Sequence, residues 1–323
     1  MEEQVKLKLL KRSKSMEHTI ESLVDLSKKR NFGIDDLPWH LGVDHSLKWM
    51  PDSLNPLTYL PSYNKLPKDE QLKLGQYYAT GICEKFIFFE SSLCISLEVL
   101  LSKPKKLPKR ILPLMEIFCE EEAKHSAMFK KLQNEALPEK YKGEEQYFIN
   151  QGVGYWLSNN LIFKNPEFFI FWLWLGAYFE EKTVVFSQEY IKHRKSLDPL
   201  FYQIHRFHLQ DEARHVEIDR HFFKAFYDKS SNLKKKMAFK MFNRTLKSIE
   251  IPIRTVGKIF HEIQNDMQVQ DVKLYDQLFK EMDLLNENEE YKRTLFGKKR
   301  FPVFHSILED NPDFVLINEH FYE

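Results

Sequence analysis

Glycine is scarce in this chain, 10 among 323 residues, while 43% of positions are hydrophobic and 14% aromatic. So few glycines among so many long side chains argue against a turn-rich β architecture and for helices. Cysteine is scarcer. The three present, Cys83, Cys94 and Cys119, are odd in number and lack C-x-x-C spacing, which argues against a disulfide framework and fits a reducing, cytoplasmic setting. Cys83 and Cys94 share one predicted helix and read as small core residues. Neither sign of charge dominates: 48 Lys plus Arg stand against 47 Asp plus Glu, so no global field draws the chain to nucleic acid or an anionic membrane. Long apolar runs are missing as well. The longest, Phe168 to Phe179, has 12 residues, whereas a membrane span needs about 20. The first fifteen residues are rich in Glu and Lys and carry no signal-peptide pattern. No G-x-G-x-x-G fingerprint of a nucleotide cofactor occurs, and no low-complexity segment interrupts the chain.

What is present is helical periodicity. Pro38, Pro51, Pro56, Pro61 and Pro67, with Trp39 and Trp49, mark residues 1–65 as a short helix followed by an extended arm packed on a body formed by residues 66–323. A helix is predicted from Lys68 to Leu101, started by Pro67 with Asp69 and Glu70 in its first turn. A second runs from Arg110 to Leu132, with Pro113 in its first turn. The third begins at Asn165-Pro166, an N-cap followed by proline at the first helical position, and continues to about His193. Asp198-Pro199 repeats the device for a fourth, ending near Tyr227. Shorter helices, Asn232 to Glu250, Val256 to Gln268 and Leu274 to Asn286, flank these four, and the tail from Pro302 reads as irregular. The expected fold is all-α, a four-helix bundle with additional flanking helices.

Two Glu-x-x-His motifs carry the chemistry, Glu122-Ala123-Lys124-His125 and Glu212-Ala213-Arg214-His215. Residues three apart share a helix face, so each pair can present a carboxylate and an imidazole to one point. One copy alone is weak evidence, because a solvated helix face produces it too. The repeat is stronger. Each copy is preceded by an acid, Glu121 or Asp211, and each follows by 32 residues a glutamate set in an apolar helix, Glu90 or Glu180. A carboxylate buried among Phe86, Phe88 and Phe89, or after Tyr178 and Phe179, costs several kcal/mol unless a cation answers it. One Glu from each of two helices plus Glu-x-x-His from each of two others is the dimetal arrangement of ferritin-like bundles.

Glu181 competes with Glu180 for the third-helix position. A helical wheel puts Glu180 with Leu173, Ala177 and Val184, nearly opposite Lys182 and Glu189, which should face water; it therefore favours Glu180. His208, four residues before Glu212, shares the same face. In isolation it would read as a core histidine bonded to a carbonyl, but the adjacent acids make it a further donor. His205 has no independent support and reads as an outer residue or a surface one. Carboxylate and imidazole donors together suit iron or manganese better than soft-ligand metals. Ligating imidazoles commonly donate their other N–H to an acid; Asp211 and Glu121 are candidates, each serving the histidine of the opposite motif. Their alternative is an exposed helix flank.

Four stretches resemble the p-aminobenzoate N-oxygenase family of di-iron arylamine oxygenases: Gly81-Ile-Cys-Glu84-Lys-Phe-Ile-Phe-Phe-Glu90, Glu121-Glu122-x-x-His125, Gly176-Ala-Tyr-Phe-Glu180 and His208-Leu-Gln-Asp211-Glu212-Ala-Arg-His215. The resemblance covers roughly residues 50 to 265, and the His-x-x-x-Glu-x-x-His element is its most specific part. It implies a ferritin-like fold with seven metal ligands, Glu90, Glu122, His125, Glu180, His208, Glu212 and His215, of which Glu122 and Glu212 bridge the metals. A gapless count back from Pro199 would select Glu181 instead of Glu180. It further implies two iron ions, with manganese as the alternative, O2 as co-substrate, oxidation of an amine to hydroxylamine, nitroso or nitro product, and a homodimer. Phe86, Phe89, Trp172, Phe179 and Phe186 are candidates to line an apolar cavity, although aromatic faces are also plain core.

Three readings follow. The first is a monooxygenase acting on an aryl or other amine. The second keeps the site but performs C–H hydroxylation, desaturation or another oxidation of a small or acyl substrate. The third is a non-enzymatic metal-binding helical protein. In both enzymatic readings two electrons per O2 come from an external donor, a ferredoxin or reductase. The basic clusters 103–110, 234–236 and 298–300 read as solvated helix ends, with an acidic electron-transfer partner as their alternative.

Overall fold

The computed structural model describes residues 18–143, 146–149, 164–249, 253–269 and 271–311. Among them are ten α-helices and no strand: α1 Ile20–Arg30, α2 Lys68–Leu101, α3 Leu112–Ala136, α4 Phe169–Lys192, α5 Pro199–Phe222, α6 Asn232–Ile249, α7 Ile253–Met267, α8 Val272–Glu281, α9 Glu289–Phe296 and α10 Pro302–Glu309. The fold is all-α, a four-helix bundle with flanking helices. Helix α2 pairs with α3 and α4 with α5; α3 meets α5 across the bundle, while α1, α6, α7 and α10 cover its outside.

Local chemistry sets the helix starts. Asn165 accepts a hydrogen bond from Glu167 N at 3.0 Å, and Pro166 opens a tight turn that leads into α4. Asp198 accepts from Phe201 N at 2.9 Å ahead of Pro199. The other oxygen of Asp198 takes Asp44 N at 2.7 Å, so one cap also ties the N-terminal arm to α5. Trp49, fully buried, stacks on Phe201 with ring centroids 5.1 Å apart, and Gln76 of α2 donates to the carbonyls of His45 and Leu47.

Three expectations are corrected and one helix is added. Pro302 does not begin an irregular tail; it opens α10, and residues 312–323 lie outside the described ones. Helix α9, capped by the Asn288 side chain on Tyr291 N, escaped the periodicity because it is only eight residues long. Glu189, expected in water, is buried and bonded to Ser53 and Arg300. Lys182 is half-covered, with its ammonium over the rings of Tyr178, Phe179 and Phe186. The last two share one cause: α4 is covered over most of its surface, with only Gln188 and Lys192 exposed, so it has no clean polar face. The expected end at Glu250 of the helix from Asn232 lies outside the described residues.

The apolar interior falls into two clusters. On α2 one cluster takes Phe86 and Ile87 and the other Phe89 and Leu93; on α5 the division falls between Ile204 and Ile218. On α2, α3 and α5 a layer of buried acids and histidines lies at the boundary.

Candidate metal centre

Glu122, His125, His208 and His215 have no exposed surface, and Glu90, Glu180 and Glu212 are no more than 2% exposed. Glu122, His125, Glu212 and His215 bring one donor atom each to within 4.8 Å of one another, as do Glu90, His125 and His208. Glu212 Oε1 is 2.8 Å from His208 Nε2, 3.1 Å from His125 Nδ1 and 3.5 Å from His215 Nδ1, so this carboxylate spans both groups. Glu122 Oε1 lies 2.7 Å from His215 Nδ1 and 3.8 Å from His125 Nδ1. Glu90 Oε1 reaches His208 Nε2 at 3.4 Å, and Glu180 Oε2 reaches His215 Nδ1 at 3.3 Å. Several of these approaches are short but not aligned as hydrogen bonds. Glu90 Oε1, both oxygens of Glu122, His125 Nδ1 and both nitrogens of His208 make none. Ligand atoms converging on common points without aligned hydrogen bonds among them are what a cation site requires.

The outer faces of the imidazoles are answered by protein. His125 Nε2 lies 3.1 Å from Asp211 Oδ2, and His215 Nε2 lies 2.9 Å from Glu121 Oε2. This is the crossed pairing anticipated for those two acids, and their buried setting rules out the exposed-flank alternative. Each acid has its own cation: Lys124 Nζ is 2.7 Å from Asp211, and Arg214 Nη2 is 2.5 Å from both Glu121 and Asp211. Sequence reasoning gave Lys124 and Arg214 no role, although a basic residue directly before each motif histidine was a readable signal. Ser27 of α1 holds Arg214 from outside at 3.1 Å. Thr183, also missed, puts its hydroxyl 2.7 Å from Glu212 Oε2.

The inner four carboxylates have no such cation; among the described residues their ion-pair partners are histidines alone. Burial pushes Glu180 well above the usual carboxylate range, helped by the charges of Glu212 and Glu122. Burial raises Glu90 too, partly offset by His208. Glu212 goes the other way: burial is outweighed by His208, Glu180, His215 and His125, and its carboxyl sits well below its ordinary value. Burial would depress the histidines, yet Asp211 and Glu212 raise His125 to about 10, and Glu122, Glu212 and Glu121 hold His215 well above its ordinary value. Imidazole protons supply the positive charge that this nest of acids draws in.

Two other buried glutamates show what a satisfied acid looks like. Glu84 accepts from Tyr141 Oη at 2.6 Å and from the backbone N–H groups of Tyr147, Phe148 and Ile149 at 2.6–2.8 Å. Glu181 accepts from Val303 N at 2.9 Å and Phe304 N at 2.7 Å and so caps α10. Its carboxylate points away from the cluster, whereas that of Glu180 faces His215. His205 is fully buried rather than superficial, stacked on Tyr190 at 3.6 Å, with neither nitrogen hydrogen-bonded. Phe86 packs beside the His208 ring at 5.7 Å and Phe186 beside Phe86 at 6.2 Å; Phe89 meets Phe179 and Trp172.

The family model described as P-aminobenzoate N-oxygenase AurF matches residues 13–272. No curated protein matches the chain. Among solved structures the chain is similar to a variant R2-like ligand-binding oxidase with aerobically reconstituted Mn/Fe cofactor, at 15% identity and TM-score 0.45 over 84% of this chain and 93% of that one. A second such variant gives 14% and 0.44 over 84% and 93%. A third, with anaerobically reconstituted Mn/Fe cofactor, gives 15% and 0.44 over 86% and 92%.

Proposed function

This chain belongs to the p-aminobenzoate N-oxygenase family of oxidoreductases, and from that premise we propose that it uses two metal ions, held between α2, α3, α4 and α5, to place oxygen from O2 on an aryl or other amine. One observation carries the reading. Four buried carboxylates face one another with imidazoles and, among the described residues, no Lys or Arg pairs with them, while the outer acids are paired with Lys124 and Arg214. In this reading Glu90, Glu122, His125, Glu180, His208, Glu212 and His215 are the ligands. Glu122 and Glu212 would serve both ions, since each reaches both His125 and His215.

Two such ions, iron here with manganese as the alternative, supply the binding and reduction of O2. The protein's own residues do the rest. Asp211 and Glu121 hold His125 and His215 with Nδ1 turned inward, which fixes tautomer and ring orientation. Lys124 and Arg214 keep those two acids ionised. Phe86, Phe129 and Phe186 exclude water on the His208 side, and Phe89, Trp172 and Phe179 do so beyond Glu90. The electrons come from an external donor, a ferredoxin or a reductase, and the working unit is a homodimer.

The test is reconstitution with Fe(II), elemental analysis, and mass spectrometry of products formed from an amine panel under isotopically labelled O2. About two metal ions per chain and label on nitrogen are expected. Label on carbon, or oxidation without label, would transfer the site to hydroxylation or desaturation. A chain that binds no metal would be a structural bundle.

A further inference from the structure

Two thiols stand one helical turn from the carboxylate cluster. Cys94 follows Glu90 by four residues on α2, and Cys119 precedes Glu122 by three on α3, axial offsets of about 6 Å and about 4.5 Å. The register of this helix pair places the sulfurs opposite each other. Ser126 of α3 lies 3.0 Å from Ser91 and 3.5 Å from the Ile87 carbonyl of α2, so the helices run antiparallel, and Cys94 Sγ then lies 3.5 Å from the Cys119 carbonyl. The Cys94 thiol therefore reaches the turn of α3 that carries Cys119. Helix axes about 8–10 Å apart, with each Cα about 2.3 Å off its axis, put facing Cα atoms about 3.4–5.4 Å apart, which overlaps the range of about 4.4–6.8 Å that a disulfide spans. Access is unequal: Cys94 is buried and Cys119 half-buried.

We propose that Cys94 and Cys119 form a redox-active dithiol that supplies the two electrons each oxygenation needs and is then restored by an external dithiol reductant acting at the more accessible Cys119. The inference rests on the oxygenase reading above and deepens it by placing a dithiol relay between the site and the external donor, which is then a dithiol reductase and not a ferredoxin. The balance closes. One oxygen atom of O2 enters the amine as N–OH and the other leaves as water. The two thiols give up two electrons and two protons as the S–S bond forms, and those protons are carried off in that water. In the restoring step an external thiolate attacks the Cys119 sulfur and releases Cys94, which takes a proton. The reductant's second thiol then releases Cys119 and leaves with its own disulfide.

The experiment uses the full chain. Reduced protein is loaded with Fe(II), freed of added reductant under argon, and given one equivalent of O2 with an aromatic amine; metal-free protein is treated in parallel. Free thiols are blocked with iodoacetamide, and unreduced digests are quantified by mass spectrometry. The peptide joining Cys94 to Cys119 is expected to accumulate at least about tenfold faster in the loaded protein and to disappear when dithiothreitol is added. Equal rates in the two samples, or both thiols still free after O2 has been consumed, would overturn the dithiol and leave the oxygenase reading standing. A chain that takes up no iron would overturn both.

Discussion

Glu84, Glu181 and Glu90 are all buried, yet protein hydrogens fill the oxygens of the first two and leave one oxygen of the third without a hydrogen bond. A glutamate satisfied by N–H groups serves the fold, whereas one facing other acids needs a cation. Glu212→Ala is therefore expected to lower bound metal from about two ions per chain to fewer than one, because this side chain reaches three of the histidines. Elemental analysis of the purified variant reads this directly. Asp211 acts one layer out, between His125, Lys124 and Arg214. Burial would raise it, but His125 and Lys124 hold its carboxyl below the usual carboxylate range. Asp211→Asn keeps the shape and removes the charge. It should weaken metal binding about 10–100-fold in a chelator competition and cost about 3 kcal/mol in urea unfolding, since half-buried Lys124 loses its carboxylate partner and buried Arg214 keeps only Glu121. The acids and histidines of this layer were legible from spacing and apolar setting. Their cations were not, because Lys124 and Arg214 look like any charged residue on a helix until the partner helix is in place.

At the scale of elements, helix starts were readable because caps are local: Asn165, Asp198 and Pro67 act within a turn of themselves. The faces of α4 were not. A wheel assumes one wet side, and α4 is covered by α5, α6 and α10. Glu181 is the clearest case, a charged residue whose partners lie 122 and 123 positions away at the start of α10. Burial, partly offset by those N–H groups, raises its carboxyl from 4.5 to about 7. The folded state therefore holds a proton that the unfolded state releases between pH 4.5 and 7. This group's contribution to stability is greatest below that window and falls as pH rises through it. Between pH 5.5 and 7.5 the wild type should lose about 2 kcal/mol relative to Glu181→Gln. Denaturant midpoints of the two proteins at both pH values measure the difference.

For the whole molecule the decisive feature is the polar layer between two apolar clusters. Without metal it is held together by imidazole protons. The sign follows from the raised histidines: for His125, stabilisation is complete below its ordinary 6.5 and is lost as pH rises toward about 10. Bound metal displaces those protons, so metal binding strengthens as pH rises. Chelator-stripped protein should accordingly melt below the loaded protein, with a gap that widens from pH 6.5 to 9. Metal at a hundredfold excess over Kd supplies about 2.7 kcal/mol. Calorimetry of loaded and stripped samples across that range is the measurement, and a gap that narrows would contradict a metal-filled layer.

Helical class, the caps that start the long helices, and Glu90, Glu122, Glu212 and the three histidines of the cluster were legible in the sequence alone, with Glu180 favoured over Glu181 but not fixed, because periodicity, capping and motif spacing are properties of one helix at a time. Tertiary structure decided which acids cross-pair with which histidines, why Glu180 faces the cluster while Glu181 caps α10, and that Cys94 meets Cys119. Each of these depends on the register between helices far apart in the chain. That register is set by side-chain packing across the bundle, which no single stretch of sequence contains.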